Sequence, residues 1–421
     1  MHTTPPSRDL GDGLRLRSVA GPEAIERVAA FDALIHGASS APTWRAWMTE
    51  HPHAAPENWL YIEEADSGRI VASLCLLPWR LRYCGVELRA AEMGVVGTLE
   101  EYRGRGLQRA LNARFDELLR AGGYHLSHIQ GIPYFYRQFG YEYAMPLEAW
   151  WRLELHMATG APPPGSGHTC RPATPDDAPA LNRLYGEVVA ALDVAALRDE
   201  AVWRYMLGPG LGTETGAETW LVLDGAGAPA GYFRVAHHGF GDGLIVAEAS
   251  QLGPDAALAA LAEIRRLAAE RGKPFVRLNL PESAPLVTVA RGLGAYDGHA
   301  YAWQVRLPDP AHILRTIAPA LERRLAASIY AGLTRDVVID LYRQAILLRF
   351  EGGSLTAVEA APRGAQADLR LPPALLAPLL LGHRNLDEIA QMYPDASAPR
   401  TARPLLDALF PKLRAWLYQQ Y

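Results

Sequence analysis

Cysteine is scarce in this sequence. Only Cys75, Cys84 and Cys170 occur in 421 residues, and they form no CxxC and no metal-ligand spacing. That excludes a disulfide-stapled or zinc-stapled fold and leaves three packing thiols in a reduced, cytoplasmic protein. No constellation for zinc or magnesium is visible, so no metal is expected. Charge of one sign is also lacking. With 41 Lys and Arg against 46 Asp and Glu the net charge is −5, which argues against general binding to nucleic acid or an anionic membrane. No run of about 18 apolar residues is present. The opening MHTTPPSRDLGDG also has no apolar stretch of the signal-peptide kind.

What is present is a globular composition, 49% hydrophobic and 21% charged, on a chain too long for one ordinary core. Pro and Gly displace apolar periodicity in ATGAPPPGSGHTC (158–170), and a second break falls at RLPDPAHIL (306–314). The expected division is residues 1–157, a linker 158–170, residues 171–308 and residues 309–421.

The first piece is mixed α/β. A helix around PEAIERVAAFDALIHG precedes strands NWLYIEE and IVASLCLLPWRLRYCGVELRAAEMGVVGT, the latter folding back as a hairpin at CG. A helix then runs to about Arg120, with Leu107, Leu111, Phe115 and Leu118 on one face and Gly122 or Gly123 at its end. HLSHIQG is strand-like, and IPYFYRQFGYEYAMPLEAWWRLEL supplies one helical turn and two closing strands. The second piece repeats this order of elements without repeating the sequence, starting from N-caps at Thr174 and Asp176 or Asp177. That pattern points to duplication of one fold. The third piece is a small α+β unit with a turn at Gly352 and Gly353, ending in an amphipathic helix over ARPLLDALFPKLRAWLYQQY.

The stretch EEYRGRGLQRAL (100–111) combines a strand end, a tight basic turn and a helix start. It is not a P-loop, because no Lys and no hydroxyl follow Gly106, and it supplies two of the three glycines of a dinucleotide fingerprint without an early βαβ unit. Free amides at a helix N-terminus still suit a pyrophosphate. Each such contact contributes about 0.3–1 kcal/mol, so several amides and Arg side chains must act together.

VGTLEEYRGRGLQRAL resembles the acetyl-CoA signature of the GNAT superfamily of N-acetyltransferases. The resemblance places Val96, Gly97 and Thr98 where a strand binds the pantetheine arm. It places Arg103, Gly104, Arg105, Gly106, Leu107, Gln108 and Arg109 where the pyrophosphate is cradled, with Gly131 and Ile132 completing the cofactor set. Gln108 stands in place of the last small residue, and its side chain is expected to face away. YFYRQFGYEYA resembles the closing motif of the same fold and makes Tyr136 the acid that protonates the departing thiolate.

Over the whole chain the three-piece layout is similar to the enhanced intracellular survival (Eis) family. That resemblance implies an active acetyltransferase fold, a degenerate copy without its own cofactor turn, a C-terminal domain like sterol carrier protein, and a homo-oligomer, up to a hexamer. It also implies that the C-terminal carboxylate, here that of Tyr421, reaches the first active site as base. Glu92 and then His125 or His128 are the competing bases; on one strand these histidines would point oppositely.

Trp79, Trp150, Trp151, Tyr134 and Phe135 would line an aromatic cleft, or simply pack the core. The implied activity is acetyl transfer from acetyl-CoA to a primary amine of a small molecule or peptide. The alternative is a non-catalytic protein that binds CoA or a lipid-like ligand on the same fold.

Overall fold

The computed structural model describes residues 7–147, 150–158, 164–239, 241–298 and 300–421. Two large mixed sheets and one four-stranded sheet organise them. In the first sheet the order is Arg8–Gly11, Leu14–Ser18, Trp59–Glu64, Ile70–Tyr83, Val86–Thr98, Leu126–Ile129, Ala302–Arg306 and Glu142–Pro146. In the second it is Tyr296–Asp297, Trp150–Glu154, Phe275–Asn279, Leu244–Ala249, Pro229–Ala236, Ala217–Leu223 and Thr169–Pro172. Along these orders each sheet has one parallel pair among antiparallel neighbours, Val86–Thr98 with Leu126–Ile129 and Leu244–Ala249 with Phe275–Asn279.

The two sheets exchange strands. Trp150–Glu154, expected to close the first sheet, pairs with Phe275–Asn279 of the second. Reciprocally, Ala302–Arg306 enters the first sheet between Leu126–Ile129 and Glu142–Pro146. Both segments have the strand-like composition that either sheet accepts, so only long-range pairing decides where each lies. Neither sheet is therefore a contiguous piece of sequence. Of the expected linker, residues 159–163 lie outside the described residues, as do 1–6 at the start, and Thr169–Pro172 is an edge strand of the second sheet.

Local signals hold well. The hairpin turns at Cys84 (φ 45°) and Gly85 (φ 85°), between the paired residues Tyr83 and Val86. The helix Leu107–Ala121 buries Leu107, Leu111, Phe115 and, instead of Leu118, Leu119. Thr174 and Asp177 cap each other reciprocally ahead of Ala178–Ala191.

The C-terminal helix is shorter than expected. It covers only Arg403–Leu409, because Pro411 cannot continue it. The chain then forms a short parallel strand, Ala415–Trp416, on Val194–Ala196, which itself lies antiparallel to Leu81–Tyr83. The tail is thus extended, and it runs into the first sheet's end of the molecule.

A chain truncated after residue 157 lacks the Ala302–Arg306 strand and leaves both its neighbours with open edges. It is expected to show no cooperative thermal transition by circular dichroism. A sharp transition with dispersed amide resonances would show that the borrowed strand is dispensable.

Candidate active site

Val86–Thr98 pairs with Leu126–Ile129 only as far as Glu92↔His128. Beyond that point its register on Ile70–Tyr83 slips between Cys75↔Gly94 and Ser73↔Gly97, so that Val95 and Val96 oppose Leu74 alone. This bulge holds Val95 at φ 50°, a conformation that a β-branched residue adopts only under constraint. Where the ladder ends, a cavity of about 570 Å³ opens. Val96, Gly97 and Thr98 form one wall, Arg103, Gly104, Gly106, Leu107, Gln108 and Arg109 another, and Ile132, Phe135 and Tyr136 a third.

Gly104 and Gly106 have φ of 78° and 79°, and a Cβ on either would meet open space. Backbone conformation, not crowding, therefore demands glycine here. Gly106 is the N-cap of the helix and no side chain caps it; the Arg109 N–H turns back onto Gly106 O at 3.0 Å, which leaves the Leu107 and Gln108 N–H groups available to an anion. Gln108 does not face away. Its Nε2 donates to Gly97 O at 2.8 Å and Thr98 Oγ1 at 3.0 Å, tying the helix start to the strand end. The Arg105 guanidinium stands outside the cavity wall, 5.0 Å from the centre of the Tyr102 ring.

Tyr136 lies in the short 3-10 helix Phe135–Phe139 and is buried. Gly131 sits beneath it: a Cβ there would come within 2.3 Å of the ring. The Gly131 carbonyl accepts hydrogen bonds from the Tyr301 hydroxyl and from Gln304 Nε2, the latter at 3.0 Å. Burial raises the Tyr136 hydroxyl well above its ordinary value, and Tyr141 and Tyr301 add to the effect. It is therefore a protonated donor at neutral pH, and it makes no hydrogen bond among the described residues.

A second polar centre lies behind the bulge. The tail is held by Arg198 Nη2 on Gln419 O (2.6 Å) and by a 3.0 Å contact of His51 Nε2 with Gln420 O. Its last side chain enters the core, where the Tyr421 ring packs on Trp47 with centroids 4.1 Å apart and its hydroxyl donates to both Glu92 oxygens at 2.9 Å. Glu92 is fully enclosed. Burial pushes its carboxyl up to about 8, against the hydrogen bonds from Tyr421 and Trp79.

Asp32 is likewise raised by burial to about 8, with the Ser73 hydroxyl donating to one oxygen. Ser73 Oγ also stands 3.4 Å from the carbonyl of the bulged Val95.

The histidines stay apart from this chemistry. His128 is wedged edge-on between Trp79 and Trp303 with both nitrogens unpartnered, and burial lowers it to about 3. His125 precedes its strand, accepts from Arg89 N at 2.9 Å and stacks on His312. Trp150 and Trp151 do not line this cleft; they left with their strand and lie beside Arg277 and Arg291 in the second half. Tyr134 is exposed, and Phe135 alone of that pair lines the cavity.

Residues 17–144 match the family described as acetyltransferase (GNAT) domain. Residues 17–144 are thus similar to a GNAT acetyltransferase domain. Nearly the whole chain is also similar in fold to solved structures. A GCN5-related N-acetyltransferase from Anabaena variabilis matches with TM-score 0.71 at 18% identity, covering 96% of this chain and 99% of that one. A conserved protein of unknown function from Enterococcus faecalis, described as a probable N-acyltransferase, gives 0.72 at 15% identity over 97% and 100%. Eis1 from Mycobacterium abscessus gives 0.65 at 18% identity over 96% and 100%. No curated protein matches the sequence.

The cleft is also backed by residues that do not line it and that no local motif announces. Gln304 and Tyr301 come from the exchanged strand and its approach, and Trp47 and Asp32 from the first two helices. The one available signal was polar Gln304 inside the apolar run YAWQVRL. Among the described residues no helix is long and apolar enough to cross a membrane, and no group of three His, Cys, Asp or Glu is placed to hold a metal.

Because Glu92 and Asp32 hold protons more tightly when folded, their contribution to stability is complete below the ordinary carboxyl range. It declines as pH rises and is lost above about 8. The urea midpoint should fall between about pH 5 and about pH 9, and less steeply in Glu92→Gln. Equal slopes would mean that Glu92 is not a buried neutral acid.

Proposed function

We propose that the protein transfers an acetyl group from acetyl-CoA to a primary amine of a small molecule or peptide. The observation that carries this is the meeting, on one cavity, of an uncapped basic helix start and the buried Tyr136 hydroxyl. The residues present fit the co-substrate. The turn offers open N–H groups and the Arg103 and Arg109 side chains to a pyrophosphate, and Val96–Thr98 offers a strand edge to the pantetheine arm.

The thioester supplies the activated acyl group. A backbone N–H of Val96–Thr98 polarises its carbonyl as the amine nitrogen bonds to carbon. As the carbon–sulfur bond breaks, Tyr136 gives its proton to the sulfur.

The amine must lose a proton. We assign that to the Tyr421 carboxylate, which would act by desolvation and by orienting the ammonium group, since such a carboxyl ordinarily has a pKa near 3.5. In this scheme Glu92 grips the other end of Tyr421 and positions it. Glu92 is the second reading for the base, favoured by the rise of its carboxyl to about 8.

The remaining assignments follow the family resemblance: a cytoplasmic homo-oligomer with a C-terminal unit like sterol carrier protein. A four-stranded sheet of Ser354–Ala360, Ala345–Glu351, Arg335–Asp340 and Leu369–Arg370 supports the last of these.

Isothermal titration of untagged protein with acetyl-CoA is expected to give one site per chain. Gly106→Glu, which strains the turn and puts a carboxylate at the anion site, should weaken it by at least about tenfold. No binding to the wild type would overturn the proposal. Tyr136→Phe should cut turnover on the order of 100-fold with acetyl-CoA affinity nearly intact; unchanged turnover would remove Tyr136 from the mechanism. Residues appended after Tyr421 should abolish activity, and a fully active C-terminally tagged enzyme would transfer the base role to Glu92.

A further inference from the structure

The second half has no basic turn: where the first carries Arg103–Arg109, residues 250–253 read Ser-Gln-Leu-Gly. Its positive charge lies instead within the sheet. Thr219, Arg234 and Glu248 are successive cross-strand partners on Ala217–Leu223, Pro229–Ala236 and Leu244–Ala249. Arg198 joins them from outside the sheet, and all four are buried.

The pairing is unequal. Arg198 grips Glu248 with both terminal nitrogens, at 2.9 and 3.0 Å, and the Tyr232 hydroxyl donates to the same carboxylate at 2.6 Å. Arg234 reaches it only at 3.4 Å through Nη1, and its Nε lies 3.3 Å from Thr219 Oγ1. Two guanidinium ions thus share one carboxylate, and one positive charge within this group is uncompensated.

Arg234 is only 3% exposed, and its Nη2 has no partner among the described residues. A buried cation that must share its counter-ion with a second cation is costly. Burial and the repulsion of Arg198 lower Arg234 to about 10, which still leaves it charged at neutral pH.

Arg234 forms part of the wall of a cavity of about 220 Å³ between the second sheet and the tail. Trp416–Gln419 close one side; Gln130, His238 and Asn279 add polar atoms, and Arg277 and Glu248 add charged ones beside Arg234. This cavity is separate from the acetyltransferase cleft, with which it shares no lining residue.

We propose that this second cavity binds a small oxyanion, the carboxylate or phosphate group of a small metabolite, with Arg234 as its principal contact. The planar guanidinium fork matches such groups in shape as well as charge. The bound anion would supply the missing negative charge. It would also rest against the tail segment that Arg198 holds at Gln419.

The test is titration calorimetry and thermal unfolding of the full chain with sodium acetate in one arm and sodium phosphate in the other, at constant ionic strength. Saturable binding and a saturable rise in the melting temperature are expected in at least one arm, and the arm that responds identifies the group. Arg234→Met leaves the Arg198–Glu248 pair balanced and should weaken that binding by roughly 10- to 100-fold, the value of a charge-assisted hydrogen bond. No saturable response in either arm, or the same response in the variant, would overturn the proposal. Should the variant fail to fold, wild-type crystals soaked in sodium selenate decide: an anomalous peak beside Arg234 supports the site, and an empty cavity sinks it.

Discussion

The candidate cleft depends on one borrowed strand. Ala302–Arg306 lies between Leu126–Ile129 and Glu142–Pro146, so the first sheet is completed by residues from the far end of the second half. From that strand Gln304 reaches Gly131, and Tyr301 just before it does the same. Gly131 in turn has no side chain because the Tyr136 ring occupies the space. The position of the proposed acid therefore rests on a contact about 170 residues away in sequence. The reciprocal departure of Trp150–Glu154 makes the exchange mutual, which locks the halves together more firmly than surface packing would.

The two halves handle buried charge in opposite ways. Around the bulge of the first half, Glu92 and Asp32 are enclosed without a cation, and burial keeps them protonated over most of the neutral range. In the second half, Arg198 and Arg234 hold Glu248 below the usual carboxylate range despite its burial. Neutral acids beside a site can exchange protons with a substrate at modest cost. An ionised cluster cannot, and it serves better as a fixed electrostatic feature. That contrast fits a first half that does chemistry and a second half that binds and holds.

How much of this was legible in the sequence follows from the range of the interactions. The turn at Arg103–Arg109 was legible because glycine φ, helix capping and anion affinity are properties of seven consecutive residues. The Cys84–Gly85 hairpin and the Thr174–Asp177 capping box are equally local. The strand exchange was not legible, since an alternating strand satisfies the pattern of either sheet and only the partner's register decides. The tail misled for a related reason. The residues after Pro411 have a helix-like apolar spacing, but their backbone groups find partners in the strand Val194–Ala196 instead.

The tail also explains why Glu92 tolerates so complete a burial. An enclosed carboxyl without a partner would cost on the order of 1–3 kcal/mol, and the nearest strand neighbour, His128, is itself unpartnered and uncharged. Besides Trp79, the partner is Tyr421, whose hydroxyl meets both Glu92 oxygens. Tyr421 holds that place because the backbone leading to it is tied down. Arg198, His51 and the Ala415–Trp416 pairing supply those ties. Since Arg198 also carries the buried pair with Glu248, the charge cluster of the second half and the neutral acid of the first are joined through the segment Gln419–Tyr421.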